Sequence, residues 1–350
     1  MTQARIAVIG AGLIGRKHIE VLRTHRPDAT LAAVCDPSPA AATEAQALGY
    51  PIHAALPDML DTVRPDGAIV AVPNQLHLAA ALDCIARGIP VLVEKPIADS
   101  IAAANALVDA GERAGVPVLV GHHRRHNPIM RKAAEIIRSG GIGRVVAIAA
   151  MWMSHKPTDY FDVSWRREPG GGPVLINAIH DIDCLRMMCG DVATVQAATD
   201  GSVRGNKVEE TAAVVLTFKS GALATLIVSD VASAPWSWEW TSRENPFYPT
   251  EPENCFLIAG TKGSLTVPNL EHRWHGAGAE SWANPLTKRR ALVAPADPYH
   301  EQIRNFAAVI RGTEAPVLTG RDGAITLATT LAITEAARTG ARVNVDDLLG

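Results

Sequence analysis

Arg5-Ile6-Ala7-Val8-Ile9-Gly10-Ala11-Gly12-Leu13-Ile14-Gly15 is the stretch that decides the fold. After Arg5, four apolar residues run straight into a glycine turn, and a helical pattern follows at once. A second apolar run, Leu31-Ala32-Ala33-Val34-Cys35, ends on Asp36. Strand, glycine turn, helix, strand and terminal acid in that order describe a dinucleotide-binding unit. Gly10 allows the tight turn, Gly12 lets the backbone approach a pyrophosphate, and Gly15 lets the helix pack near the strand. The first-turn N–H groups, those of Leu13 and Ile14 among them, carry a partial positive charge toward the phosphates. Asp36 lies about 20 residues beyond the turn, where a carboxylate accepts hydrogen bonds from ribose hydroxyls. A carboxylate there repels a 2′-phosphate, so NAD is expected over NADP.

Working outward, the first third alternates strands and helices. Pro39–Leu48 reads as a helix, Gly67–Val72 as a strand covered on both faces, and Leu76–Arg87 as a helix stopped by Gly88. Pro90–Val93, Ser100–Ala114 and Pro117–Val120 continue the pattern as strand, helix and strand. Such alternation implies a parallel, doubly wound sheet.

After about residue 125 the rhythm changes. A helix over Ile129–Ser139 precedes a long strand over Arg144–Met153. Later runs (Val192–Ala198, Ala212–Phe218, Ala222–Ser229, Cys255–Ala259, Ser264–Val267) read as a meander. Lys219-Ser220-Gly221 and Thr261-Lys262-Gly263 are the turns of two hairpins. Leu175–Met188 interrupts the series as a helix, and helices near Tyr299–Ile310 and Gly323–Arg338 close it. The expected fold is an α/β Rossmann domain over 1–124, followed by an α+β domain over 125–350 with a large, mostly antiparallel open sheet. Pro235–Pro252 is the longest irregular stretch.

Composition narrows the function classes. The chain has 350 residues and a formal net charge of −3, and its densest basic spots, Lys288-Arg289-Arg290 and Arg124-Arg125, are short. No nucleic-acid surface is expected. No apolar run approaches the roughly 20 residues needed to cross a bilayer, and the early first strand is read as leaving no room for a signal peptide. Five scattered cysteines without a CxxC pair suit reduced thiols in a cytoplasm.

In an open α/β sheet, ligands bind beyond the carboxyl ends of the strands. Three loops meet that condition: Pro73-Asn74-Gln75-Leu76-His77, Glu94-Lys95-Pro96, and Gly121-His122-His123-Arg124-Arg125. Pro73, Asn74, His77, Glu94 and Lys95 are therefore candidates for contact with the cofactor. Lys95 is the candidate acid/base: held partly from water beside a cationic nicotinamide, its pKa would fall toward neutrality, letting it exchange a hydroxyl proton while hydride moves. A second constellation runs from Gly170-Gly171-Gly172 to His180-Asp181-Ile182-Asp183. Asn177, His180 and Asp181 lie within one turn of the expected helix, and a buried polar row there needs partners. No HExxH or Cys/His ligand pattern accompanies the His122, His123 and His126 cluster, so no metal is expected.

Together these loops resemble the Gfo/Idh/MocA oxidoreductases, the group of glucose–fructose oxidoreductase and inositol 2-dehydrogenase. GAGLIG at 10–15, Pro73-Asn74 with His77, Glu94-Lys95-Pro96, the 121–128 stretch and the GGG-to-His180 segment occur in the family's order. The resemblance implies Lys95 as acid/base, His180 as a substrate-binding or proton-relay partner, and a cis Lys95–Pro96 bond. One position departs: many relatives carry an aspartate where this chain has Ile176, with Asn177 beside it.

The expected activity is NAD(P)-dependent hydride transfer between nicotinamide and a hydroxyl or carbonyl carbon of a sugar, cyclic polyol or related compound. Arg125, Asn177 and His180 would orient the substrate, and Trp152, Trp165 or the Pro235–Pro252 loop would close over it. Two alternatives share the fold: a tightly held NAD used transiently in glycoside cleavage or sugar transhydrogenation, and a non-enzymatic NAD- and sugar-binding regulator. A homodimer or homotetramer formed through the second domain's sheet is expected, since an open sheet leaves a face to be covered.

Overall fold

The structure of the chain is a computed structural model and describes residues 3–24 and 27–350. Among the described residues, two sheets organise the chain. The first has six strands: β1 (Ala4–Ile9), β2 (Ala29–Cys35), β3 (Ile52–His53), β4 (Gly67–Val70), β5 (Val91–Val93) and β6 (Val118–Val120). Their order is β3-β2-β1-β4-β5-β6, and every pairing is parallel. This is the doubly wound dinucleotide-binding order, in which the strand sequence reverses beside β1. β4, β5 and β6 are buried along their whole length. Helices on both faces therefore explain why these strands read as unbroken apolar runs rather than as alternation.

The helices between strands carry their own start and stop signals. Ser38 accepts from the Ala41 N–H to cap Pro39–Leu48, and Gly49 ends it at φ 71°. Ser100 accepts from the Ala103 N–H to cap Ile101–Ala114. A Ser N-cap contributes about 1 kcal/mol by satisfying a first-turn donor. The short strand β3 and the helix Leu56–Val63 add to the elements expected from the sequence; Leu56, Met59, Leu60 and Val63 recur in that helix at the spacing of one apolar face.

The second sheet has nine strands: β7 (Val145–Met153), β8 (Val192–Asp200), β9 (Thr211–Phe218), β10 (Leu223–Ser229), β11 (Phe256–Gly260), β12 (Gly263–Val267), β13 (Glu271–Trp274), β14 (Thr287–Arg290) and β15 (Val343–Asn344). The order is β14-β13-β12-β11-β7-β10-β9-β8-β15. Only β7 and β10 run parallel; the other pairs are antiparallel. Both expected hairpins are present, β9 with β10 and β11 with β12. β9 alternates buried with half-buried or exposed residues, as a one-face-covered antiparallel strand must. β14 is exposed throughout and reads Thr-Lys-Arg-Arg; such charge discourages pairing with another chain's edge.

Compact packing divides the chain into a first unit, Met1–His126 with Ala296–Leu327, and a second, Asn127–Pro295 with Ala328–Gly350. The division differs from the sequence boundary at 124/125, because a late segment packs into the first core. Ile303, Phe306 and Val309 of the helix Pro298–Ile310 share one apolar cluster with Ile6, Val8, Ile19, Leu22 and Val34. Burying Phe306 alone is worth roughly 1.5–3 kcal/mol. At Gly67 a β-carbon would stand 3.0 Å from the Phe306 ring, so the helix seats directly on backbone at the start of β4.

Two further differences concern the second unit. The segment read as a uniform helix over Leu175–Met188 is a π-helical stretch, Val174–Ala178, followed by an α-helix, Ile179–Cys189. Helical-wheel spacing from Asn177 to His180 therefore does not hold across the junction. The irregular Pro235–Pro252 segment contains one short helix, Trp238–Thr241.

Candidate active site

In the first unit the glycine turn is built as its sequence demands. Gly10 has φ +98°, and a β-carbon there would lie 2.6 Å from the Ala71 carbonyl oxygen. A β-carbon on Gly15 would run into the Gly10 carbonyl oxygen. Gly12 differs: it is exposed, and a β-carbon would meet nothing within 4 Å. Its glycine character therefore has no internal cause, and the open space above it is where a ligand phosphate would approach the backbone. Leu13, 90% exposed, and Ile14 follow in the first turn of the helix Leu13–Thr24.

Asp36 stands at the carboxyl end of β2. Its Oδ2 accepts from the Ala11 N–H at 2.8 Å and its Oδ1 from the Ser38 N–H at 2.8 Å. Burial pushes the Asp36 carboxyl up, but the hydrogen bonds from Ser38 and Ala11 and the nearby Arg16 outweigh it and hold it below the usual carboxylate range. The group is an anion at neutral pH, tied to the glycine turn. These residues fit a dinucleotide: a helix N-terminus, an unobstructed glycine and a fixed carboxylate at the ribose position.

The Lys95 loop lies at the carboxyl end of β5, one strand from β4. The Lys95–Pro96 bond is cis. Lys95 itself is half-buried, while Glu94 is buried. Glu94 Oε1 lies 2.7 Å from His18 Nε2, and its Oε2 accepts from the Lys95 N–H at 3.2 Å. The Glu94 carboxylate is thus spent on protein partners. His77 is also buried, with Nδ1 2.9 Å from the Pro96 carbonyl oxygen and Nε2 2.9 Å from that of Val72. Burial lowers the His77 pKa against the pull of those carbonyls. The ring bridges the backbone beyond β4 and β5 rather than presenting a free nitrogen to a ligand. Pro73 and Asn74, which opens a short 3₁₀ turn over Asn74–Leu76, occupy the same rim. Arg125 is buried in the 3₁₀ turn His123–His126 beyond β6.

In the second unit the GGG segment leads into the π-helical stretch. His180, Asp181 and Asp183 are buried on the helix that follows. Asn177 lies in the π turn, and its Oδ1 is buried without a hydrogen-bond partner among the described residues. Glu209 closes the segment's start: its Oε1 accepts from the Val174 N–H at 3.1 Å, and a β-carbon on Gly172 would run into its carboxylate. Burial raises the Glu209 pKa against the pull of the Val174 amide and Lys156. Trp165 is 51% exposed in a short 3₁₀ turn, whereas Trp152 is buried and donates its Nε1–H to Glu239 at 2.9 Å.

Sequence reasoning missed one charged cluster. Because β7 and β10 run parallel, the residues that follow them emerge at one edge, and Asp230 there meets both Lys156 (3.3 Å) and Arg204 (2.7 Å). Lys156 Nζ also lies 4.7 Å from the Tyr160 ring centroid. Parallel pairing in a sheet that reads as a meander is the cause, and no local motif announces it. Among the described residues, no group of three His, Cys, Asp or Glu side chains is placed to hold a metal ion.

Two family models match the chain: the oxidoreductase family with an NAD-binding Rossmann fold over residues 4–122, and the GFO/IDH/MocA C-terminal domain over 130–266. The chain belongs to the Gfo/Idh/MocA oxidoreductases. Named relatives in that family include dehydrogenases and reductases. The rhizopine catabolism protein MocA of Rhizobium meliloti is 29% identical over 59% of this chain and 65% of its own length, just under two thirds. Myo-inositol 2-dehydrogenase of Thermotoga maritima is 25% identical over 99% of this chain and 100% of its own. Among solved structures, the WlbA dehydrogenase from Bordetella pertussis, in complex with NADH and UDP-GlcNAcA, is 26% identical with a TM-score of 0.77, covering 98% of this chain and 99% of that one.

Proposed function

We propose that this family member moves hydride between NAD and a carbinol or carbonyl carbon of a sugar or cyclic polyol, with Lys95 as the acid/base. The carrying observation is the placement of a half-buried lysine on the loop beyond β5, in the unit whose glycine turn and Asp36 fit a dinucleotide. Bound nicotinamide would supply the hydride acceptor or donor. The chain's own residues do the rest. The Leu13 and Ile14 N–H groups face the phosphates, and the Asp36 carboxylate takes the ribose hydroxyls. Because Asp36 is anionic at neutral pH, a 2′-phosphate is repelled, which supports NAD over NADP. Pro73 and Asn74 border the same rim, with His77 and Glu94 bracing it from behind. Lys95 Nζ accepts the hydroxyl proton during oxidation and returns it during reduction.

Substrate contacts are assigned to Arg125, Asn177, His180 and Trp165. The Asn177 Oδ1 supports this directly: a buried acceptor without a donor is costly, and a substrate hydroxyl would satisfy it. A hydroxylated ring substrate is also supported by the likeness to a myo-inositol dehydrogenase and to a dehydrogenase crystallised with a sugar nucleotide. Where many relatives place aspartate, Ile176 removes a carboxylate, so proton handling falls more heavily on Lys95 and His180.

A second copy of the chain would cover the open face of the nine-stranded sheet, giving a homodimer or homotetramer. Val215, Leu223 and Leu257 project from β9, β10 and β11 at 45%, 56% and 42% exposure, an apolar surface that monomers seldom leave bare. Among the described residues no cysteine is in a disulfide, which supports work in a reducing compartment such as the cytoplasm. The test is a thermal-shift screen with NAD, NADP and a sugar and polyol library, followed by NADH absorbance with each hit. NAD raising the melting temperature more than NADP, with NADH released from at least one polyol, is the expected result. No shift with either nucleotide contradicts the proposal.

A further inference from the structure

His18 is fully buried on the helix Leu13–Thr24, three residues beyond the last glycine of the turn, and its Nε2 lies 2.7 Å from Glu94 Oε1. The other ring nitrogen, Nδ1, is buried without a hydrogen-bond partner among the described residues. Glu94 is therefore the ring's polar anchor. Glu94 in turn holds the Lys95 backbone through Oε2. The carboxylate is fixed from a third side by the residue after β6: a β-carbon on Gly121 would stand 2.7 Å from Glu94 Oε1, so a larger residue there would expel it.

We infer that His18 is a positioning residue for Lys95: through Glu94 it ties the helix that opens at the glycine turn to the loop that carries the acid/base. The inference rests on Lys95 serving that role. The groups facing the pair come from every neighbouring element. Lys95 lies on the same loop, His123 lies beyond β6, and His77 lies on the helix after β4. Tyr299 packs edge-on against His18 (centroids 5.8 Å) while stacking on His123 (4.6 Å). Lys17 stands over Tyr299 and within 3.6 Å of Asp297. Burial pushes the Glu94 carboxyl up, but the His18 hydrogen bond and the charges of His18, Lys95 and His123 outweigh it. Glu94 is thus an anion held against the Lys95 backbone, with Lys95 among the charges that keep it ionised.

Without His18, a buried carboxylate loses its main partner and retreats toward the neutral acid. Lys95 then loses both a backbone anchor and a negative neighbour. The test is the pH dependence of Lys95 acetylation by acetic anhydride in the full chain, read by peptide mass spectrometry with and without NAD. In His18→Ala the labelling midpoint should fall by roughly one pH unit, the scale of a lost opposite charge at close range. His18→Gln, whose amide N–H reaches the position of Nε2, should restore the wild-type midpoint. Glu94→Gln should fall as His18→Ala does, and it carries the test if His18→Ala fails to fold. NAD affinity, measured by calorimetry, should stay within about threefold in His18→Ala and His18→Gln, since the fully buried His18 is not among the cofactor contacts. A purely structural role would lower the melting temperature and leave the Lys95 midpoint unmoved. Equal midpoints in wild type, His18→Ala and Glu94→Gln, or a His18→Gln that behaves like His18→Ala, overturn the inference while leaving Lys95's role intact. Retained turnover in Lys95→Met would instead remove the acid/base reading and leave the labelling result standing.

Discussion

Alanine substitutions at Gly10 and Gly12, two residues apart, should fail in opposite ways. At Gly10 the backbone has φ +98°, and the added methyl would lie 2.6 Å from the Ala71 carbonyl oxygen, 2.8 Å from its carbon and 2.9 Å from the Val72 nitrogen. None of these atoms belongs to a flexible side chain, so the segment leaving β4 must shift. The left-handed conformation costs about 1–2 kcal/mol and overpacking about 1–3, so Gly10→Ala should lose roughly 2–5 kcal/mol and several degrees of melting temperature. At Gly12 a methyl meets nothing within 4 Å and the backbone is unstrained, so the ligand-free protein should melt within a degree or so of wild type. The methyl would instead occupy the pyrophosphate's path. Losing one charge-assisted hydrogen bond costs about 1.5–3 kcal/mol, so NAD should bind about 10- to 100-fold more weakly. Differential scanning calorimetry and isothermal titration with NAD separate the two effects. Wild-type NAD affinity in Gly12→Ala would refute the placement of the pyrophosphate, and an unchanged melting temperature in Gly10→Ala would refute the steric reading of the turn.

Other outcomes follow from the same geometry. Lys95→Met should lower turnover by about 10²–10⁴ while NAD affinity holds, as loss of an acid/base requires; initial rates of NADH formation set against NAD calorimetry check this. The Asp36 carboxyl is held below its ordinary value of 3.8 when folded, so its contribution to stability is full above that value and is lost as pH falls through the lower folded one. Urea denaturation across the acid range should accordingly show Asp36→Asn trailing wild type at neutral pH and converging with it in acid. Burial, with Asp36 alongside, pushes the Cys35 thiol up to about 11, and burial pushes that of Cys84 up to about 12. Neither should react with a disulfide reagent at neutral pH until denaturant is added.

Much of the first unit was legible because parallel strands must be apolar on both faces. Gly67–Val70, Val91–Val93 and Val118–Val120 could scarcely be read otherwise, and Pro39–Leu48 carried its own Ser and Gly signals. The return of Pro298–Ile310 to that unit was not legible, since nothing in an amphipathic helix names the core it joins. The polarity of Lys95, Asn177 and His180 marked them as candidates. The bracing roles of His18 and His77 were hidden, because each depends on a partner 76 or 19 residues away. The π turn at Val174–Ala178 was invisible for a related reason: its residues read as ordinary helix formers, and only the close fit of Gly172 against Glu209 marks the segment as unusual.

The most direct measurement is a crystal structure of the chain grown with NAD. The pyrophosphate should lie over Gly12, the adenosine ribose on Asp36, and nicotinamide C4 should face the Lys95 loop with room for a substrate carbon about 3–3.5 Å away. A dinucleotide bound elsewhere, or one whose nicotinamide ring lies remote from Lys95, would contradict this placement.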